Sequence, residues 1–225
     1  MDVAALKERY DRVKTAVPSH VKLIAVSKTR SVEEIRALYD FGHRAFGENY
    51  PQELKAKYPA LPPDIEWHFI GHLQRSNVKH VAGIAHLIHG VDSEKLQDEL
   101  DKRAQTLGQP VDVLLQVHIA QEETKHGFSP DELRTLLQQP GLLGRWPQLR
   151  IRGLMGMATN TEDRKQVASE FSALAGFFKE LAANGPFPVG QFSELSMGMT
   201  GDMDLAIAAG STMVRVGTAI FGERG

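Results

Sequence analysis

The sequence predicts an α/β fold, a single (β/α)8 or TIM barrel for residues 1–225. Eight short apolar runs recur along the chain, and a longer amphipathic stretch follows each of them. Such barrels begin at about 200 residues, so a chain of 225 residues is long enough for one. No dinucleotide-binding glycine fingerprint follows any run, which favours the barrel over an open doubly wound sheet.

The apolar runs are predicted to be the strands. They are short and rich in β-branched residues, as is typical of parallel strands that are buried on both faces. In chain order the runs span residues 21–26, 43–46, 65–70, 86–89, 111–119, 149–154, 191–195 and 212–216.

The amphipathic stretches carry the start signals of helices. Predicted N-cap residues are Ser31, Ser93, Ser129 and Thr161. Glu34 would complete a capping box with Ser31, and Pro130 suits the first helical position after Ser129. The helices after Ser93 and Thr161 are expected near residues 94–106 and 162–183, and an apolar helix is expected over 202–209.

Composition excludes several classes of protein. The net charge of −2 and the lack of a basic block argue against nucleic-acid binding, and the absence of cysteine excludes disulfides and thiolate chemistry. No apolar stretch approaches the ~20 residues that cross a bilayer, and no signal peptide is recognised, so a cytoplasmic protein is expected. His68 and His72 are four residues apart but flank a strand end, so no metal site is predicted.

Lys28 closes the first predicted strand. In a parallel barrel the chemistry belongs at the carboxyl ends of the strands, where a lysine is expected to be desolvated and its neutral amine favoured. A neutral amine can condense with a carbonyl, so Lys28 is a candidate Schiff-base lysine. The alternative is a strand-end lysine whose ammonium group reaches water.

Glycines and hydroxyls follow the seventh and eighth predicted strands. Residues 194–201 read ELSMGMTG, and residues 215–218 read RVGT. Glycine lets backbone N–H groups approach an oxyanion, and the loops after strands seven and eight are the usual phosphate site of a barrel. A phosphate site beside a Schiff-base lysine indicates a phosphorylated aldehyde, although two ordinary glycine turns are the alternative.

Six segments in order resemble the signatures of a known family. They are AVSKT (25–29), FGENY (46–50), HFIGHLQ (68–74), GLMGM (153–157), LSMGM (195–199) and VRVGT (214–218). Together they resemble the YggS/PROSC family of pyridoxal phosphate homeostasis proteins, whose barrel is like the alanine racemase N-terminal domain (fold type III). The chain departs from the usual family residues at Pro51 and His118.

The resemblance implies a cofactor and its site. Pyridoxal 5'-phosphate (PLP) would form a covalent aldimine with Lys28, Arg215 would face the pyridine nitrogen, and Asn49 and His68 would line the pocket. Implied phosphate contacts come from Ser196, Gly198, Met199, Thr200, Gly217 and Thr218.

The family's role suggests vitamin B6 homeostasis, in which the protein buffers PLP and delivers it to PLP-dependent apoenzymes. A non-enzymatic protein is expected, because the chain ends at Gly225 without the additional β domain that supplies a tyrosine in alanine racemases. A monomer is expected as well. A cationic Arg215 at the pyridine nitrogen would also weaken carbanion chemistry. The alternatives are a fold-type III enzyme, such as an amino-acid racemase with weak activity, and a Schiff-base aldolase.

Overall fold

The computed structural model describes residues 2–122 and 126–223, and its eight parallel strands form a closed barrel. Each strand pairs with the next along the chain, and β8 pairs with β1 to close the sheet. The predicted barrel is therefore confirmed. The strands are β1 Lys22–Val26, β2 Ala45–Glu48, β3 Glu66–Phe69, β4 Leu87–Val91, β5 Val111–His118, β6 Leu149–Met157, β7 Glu194–Met199 and β8 Met213–Val216.

Four strands, β2, β4, β6 and β7, extend past the carboxyl ends of the apolar runs that predicted them. β6 continues to Met157 and β7 to Met199, so their glycines lie within strands rather than in the turns that follow. Gly153 lies inside β6, where a Cβ would be 1.8 Å from the carbonyl oxygen of Glu194 on β7. Glycine is rare inside strands except where another backbone approaches closely, as it does here.

Helices surround the barrel. They are α1 Val3–Ala16, α2 Val32–Asp40, α3 Pro51–Lys57, α4 Val78–Val81, α5 Glu94–Leu107, α6 Pro130–Leu137, α7 Leu142–Arg145, α8 Arg164–Asn184, α9 Met203–Ala209 and α10 Thr218–Phe221. None of the helices in the described part of the chain has the length and apolar character needed to cross a membrane.

Three of the four predicted N-cap residues occupy the N-cap position of a helix, and one does not. The predicted capping box at Ser31 is present, and Ser129, predicted as an N-cap before Pro130, also forms a box with the glutamate three residues later. Ser93 occupies the N-cap position of α5, but its hydroxyl donates to Asp92 instead of capping the backbone. The prediction at Thr161 is wrong, because the Asp163 carboxylate accepts two backbone N–H groups and α8 begins after it.

The barrel interior changes from apolar to polar along its strands. Leu87, Leu114, Met155 and Met213 form a small buried cluster inside the barrel, separate from the main core. His89 and Arg215 are each two residues further along β4 and β8 than a member of that cluster, and both are buried. Alternate residues of a strand face the same side, so the polar layer lies nearer the carboxyl ends of the strands.

Candidate functional site

A cavity of about 260 Å³ opens where β1 meets β8 at the carboxyl ends of the strands. Residues from both sides of this seam surround it. The lining consists of Val26, Lys28, Arg30, Met199, Thr200, Gly201, Arg215, Gly217 and Thr218. The structure therefore brings the candidate Schiff-base lysine together with the glycines and hydroxyls that follow β7 and β8.

Six of the ten predicted site residues line this cavity. They are Lys28, Met199, Thr200, Arg215, Gly217 and Thr218. The other four lie elsewhere at the same end of the barrel, and the lining includes Arg30 and Gly201, which were not among the ten. The only sequence signal for Arg30 is that a second cation follows two residues after Lys28.

A buried network holds the backbone around Lys28. The Ser27 hydroxyl donates to Glu48 at 2.6 Å, and the Lys57 ammonium donates both to Glu48 at 2.8 Å and to the Ser27 carbonyl oxygen at 2.9 Å. Glu48 and Ser27 are wholly buried. These bonds tie the end of β1 to β2 and α3, so they fix the point from which the Lys28 side chain leaves.

Thr29, the residue after Lys28, is also held by a side chain of α3. Thr29 has a left-handed φ of +63°, which is unfavourable for a β-branched residue, and its N–H donates to Glu53 at 2.7 Å. Glu53 also accepts from Lys57 at 2.7 Å. Burial alone would raise the pKa of Glu53, but these two hydrogen bonds hold it below its ordinary value. The turn that carries Lys28 is therefore fixed on both sides.

A chain of hydrogen bonds crosses the polar layer of the barrel. Arg215 donates to the Ser196 hydroxyl at 2.6 Å, Ser196 contacts His89 Nδ1 at 2.9 Å, and His89 Nε2 contacts His68 Nδ1 at 2.9 Å. If each group donates to the next, in the order Arg215, Ser196, His89 and His68, every one of these contacts is a hydrogen bond. Ser196 thus faces the barrel interior and Arg215, although the sequence predicts it as a phosphate ligand.

Arg215 is a buried cation whose hydrogen bonds go to uncharged oxygens. Its bond besides that to Ser196 goes to the Gly156 carbonyl oxygen at 3.1 Å, and the negative charge of Asp202 acts on it electrostatically. Burial lowers the pKa of Arg215 to about 10, so the guanidinium stays charged at neutral pH. Asp202 offsets only part of the cost of burying this charge, and a ligand with electron-rich atoms in the cavity would offset more of it.

Gly198, Asn49 and His68 do not line the cavity, and each has a different environment. A Cβ at Gly198 would lie 2.5 Å from the Cβ of Ala206, so this glycine lets α9 pack on β7. Asn49 Oδ1 and His68 Nε2 are buried polar atoms for which the described part of the chain offers no hydrogen-bond partner. His118, which departs from the family pattern, contacts the Glu122 carbonyl oxygen at 2.9 Å through Nε2.

Acidification should destabilise the fold, because burial lowers the pKa of His43 to about 4 and those of His68 and His89 well below 6.5. Between these values and 6.5 the unfolded chain binds more protons, so the free energy of unfolding falls as pH falls. For His43 alone the full loss is about 3 kcal/mol.

Urea unfolding between about pH 7 and pH 5 measures this dependence. His43→Phe should flatten the slope, whereas removal of the exposed imidazole in His20→Asn should leave it unchanged. A free energy of unfolding that stays constant over this range would contradict the assignment.

The fold and the strand-end cavity define a class of barrel. The family model for the alanine racemase N-terminal domain matches residues 1–225. Alanine racemase from Bartonella henselae, solved with covalently bound pyridoxal phosphate, superposes with a TM-score of 0.74 at 19% identity, over 99% of this chain and 60% of that one. At this identity the likeness concerns the fold alone: a barrel of the alanine racemase N-terminal type.

Closer relatives narrow the class. The chain is 42% identical over 222 residues to the pyridoxal phosphate homeostasis protein of Vibrio alginolyticus, covering 96% of this chain and 92% of the relative. It is 39% identical to the human protein of that name, covering 90% and 76%. PipY of Synechococcus elongatus PCC7942, solved with PLP bound, has a TM-score of 0.85 at 37% identity, covering 96% and 100%. This chain belongs to the family of pyridoxal phosphate homeostasis proteins.

Proposed function

We propose that this protein holds PLP as a Schiff base on Lys28, buffers it, and delivers it to PLP-dependent apoenzymes. The observation that carries the proposal is that Lys28 and the buried, charged guanidinium of Arg215 line one small cavity. An amine and a fixed cation suit a ligand that offers an aldehyde and an electron-rich ring nitrogen.

The cavity fits a small phosphorylated ring. Its volume of about 260 Å³ is slightly below the ~300–1,000 Å³ usual for small-molecule pockets, so it suits a small ligand better than a dinucleotide. Thr200 and Thr218, which carry hydroxyls, are among its lining residues, and a Cβ added at Gly201 would meet no other atom within 4 Å. In this proposal they hold the phosphate group. Ser196 would act through Arg215, which it contacts, and Gly198 by packing.

Asn49 offers a further polar group for a ligand. Its buried Oδ1 has no hydrogen-bond partner among residues 2–122 and 126–223, although such atoms are nearly always paired in folded proteins. His68 Nε2, also unpartnered, ends the chain of contacts that begins at Arg215. Pyridoxal phosphate supplies an aldehyde that forms a reversible imine with a lysine, and these groups would orient the ring around it.

A carrier is favoured over an enzyme. Relatives of high coverage are named as homeostasis proteins rather than as enzymes, and PipY was solved both with and without PLP. Arg215 keeps its charge, so a pyridine nitrogen beside it would stay unprotonated and the ring would be a weak electron sink. The second candidate, a racemase with weak activity, is favoured only by the shared fold.

Transfer and hydrogen exchange together test the proposal. PLP-loaded protein should restore activity to a PLP-free aminotransferase, yet exchange the α-hydrogen of L- and D-amino acids in heavy water far more slowly than the ~1–10³ per second of typical enzymes. Rapid exchange that Lys28→Ala stops would overturn the carrier in favour of the racemase. Failure to bind PLP at all would also overturn the assignment of PLP as the cofactor.

The partners and location remain predictions. We expect a cytoplasmic monomer that meets apoenzymes transiently and binds neither nucleic acid nor membrane. Sedimentation of the purified chain would test the monomer.

A further inference from the structure

Three side chains with metal-binding atoms converge at the carboxyl ends of β3, β4 and β5. His72 follows β3, Asp92 follows β4, and His126 lies in the segment between β5 and α6. Among residues 2–122 and 126–223 this is the one place where three such ligand atoms come together. Imidazole nitrogen and carboxylate oxygen are both common ligands of Zn²⁺.

The three ligand atoms have nearly the spacing that a metal would impose. The Nδ1 atoms of His72 and His126 lie 3.1 Å and 4.0 Å from the same carboxylate oxygen, Oδ2 of Asp92, and all three atoms lie within 4.8 Å of one another. In a tetrahedral site with bonds of about 2.0–2.2 Å, ligand atoms are about 3.3–3.6 Å apart. Small rotations of the two exposed rings would bring the atoms to these distances.

The carboxylate is already oriented for this role. Its Oδ1 accepts from the Ser93 hydroxyl at 3.2 Å, which leaves Oδ2 facing the two rings. Orientation of a ligand by an outer hydrogen bond is a usual property of metal sites. Asp92 is also the least exposed of the three ligands, since its side chain is 11% exposed.

The backbone around the two histidines is fixed as well. Gly71 packs so closely against β2 that a Cβ would lie 2.3 Å from the Asn49 carbonyl oxygen, which fixes the turn that carries His72. The carbonyl oxygen of His126 accepts from the buried Gln116 side chain at 2.8 Å. Two residues later, the backbone of Phe128 forms hydrogen bonds with the backbone of β5. A site on rigid elements loses little entropy when a ligand binds.

We propose that His72, Asp92 and His126 form a binding site for a divalent metal ion of the Zn²⁺ type. The metal would replace the contact between His72 Nδ1 and Asp92, and the exposed ring can carry its proton on Nε2. Two imidazoles and one carboxylate leave a coordination position open to water or to an exchangeable ligand. None of the three residues lines the Lys28 cavity, so this inference stands apart from the PLP proposal.

Calorimetric titration of the full-length protein with Zn²⁺ in phosphate-free buffer tests the site. One Zn²⁺ per chain should bind to the wild type, and His72→Ala and His126→Ala should each weaken binding at least tenfold. The matched control is His20→Ala, which removes an exposed imidazole that precedes β1 and should leave the affinity unchanged.

Co²⁺ provides an independent readout. The wild type should show the visible absorption of Co²⁺ in a site of low coordination number, and Asp92→Asn should lose it while the protein stays folded by circular dichroism. Equal Zn²⁺ binding by wild type and His72→Ala would reveal adventitious binding elsewhere and overturn the site. The absence of saturable binding would reduce the cluster to a hydrogen-bonded surface group and would equally overturn it.

Discussion

Lys28→Ala is expected to abolish every borohydride-reducible bond between the protein and PLP. The wild type, loaded with PLP and reduced, should yield one labelled peptide that contains Lys28, because this amine lines the cavity on the backbone fixed by Ser27 and Thr29. Alanine offers no nucleophile there, so the label should disappear completely. Peptide mapping by mass spectrometry measures the result.

Two controls separate the lysine from the rest of the cavity. Lys55→Ala removes an exposed lysine of α3 and should leave the label unchanged. Thr218→Ala should keep the covalent label but weaken retention of PLP by about 1–3 kcal/mol, since it removes a hydrogen bond to a charged oxygen. Pyridoxal, which lacks the phosphate, should be insensitive to that change. Labelling of the Lys28→Ala protein at another lysine would disprove the assignment.

Lys57→Met is expected to lower the free energy of unfolding by about 3–5 kcal/mol, although the residue lies outside the cavity. The ammonium group of Lys57 donates hydrogen bonds to Glu48, Glu53 and the Ser27 carbonyl oxygen. The whole residue is only 7% exposed. Burial raises the pKa of Glu48 even with this cation beside it. Removal of the cation would leave a buried carboxylate uncompensated, which urea unfolding would detect.

A double variant isolates the ion pair. Glu48→Gln together with Lys57→Met removes both charges, so it should recover part of the stability that Lys57→Met loses. Lys55→Met, in the same helix but exposed, is the matched control for the loss of a lysine. The network would have no energetic role if Lys57→Met and Lys55→Met unfolded at the same urea concentration.

The barrel could be predicted because its signals are local. Each apolar run and each cap, such as the box at Ser31, depends on residues close in sequence, and the positions of strand ends then follow from the fold. Because both residues follow predicted strands, Lys28 and Gly217 are expected at the same end of the barrel, and in the structure both line one cavity. Prediction from local signals failed at Thr161, where Asp163 is the stronger competing cap.

The rest of the candidate site depends on contacts that sequence spacing does not reveal. Ser196 stands in a glycine-rich segment and looks like a phosphate ligand, yet the strand continues through it and turns its hydroxyl into the barrel. The roles of His89 and Lys57 arise only when distant strands and helices are brought together. His72 likewise meets its partners from β4 and β5, not the histidine four residues before it.

The position of the cavity on the seam between β1 and β8 has a consequence for how the protein matures. Lys28 emerges early from the ribosome, whereas Arg215 belongs to the last strand, and α1 contacts α10 through a hydrogen bond from Arg9 to Ile220 that spans 211 positions of the chain. Closing a loop of this length costs entropy before its contacts are gained, and it requires both ends of the chain. A nascent or truncated chain therefore has Lys28 without Arg215, and in the proposed function only the completed barrel would discriminate among aldehydes.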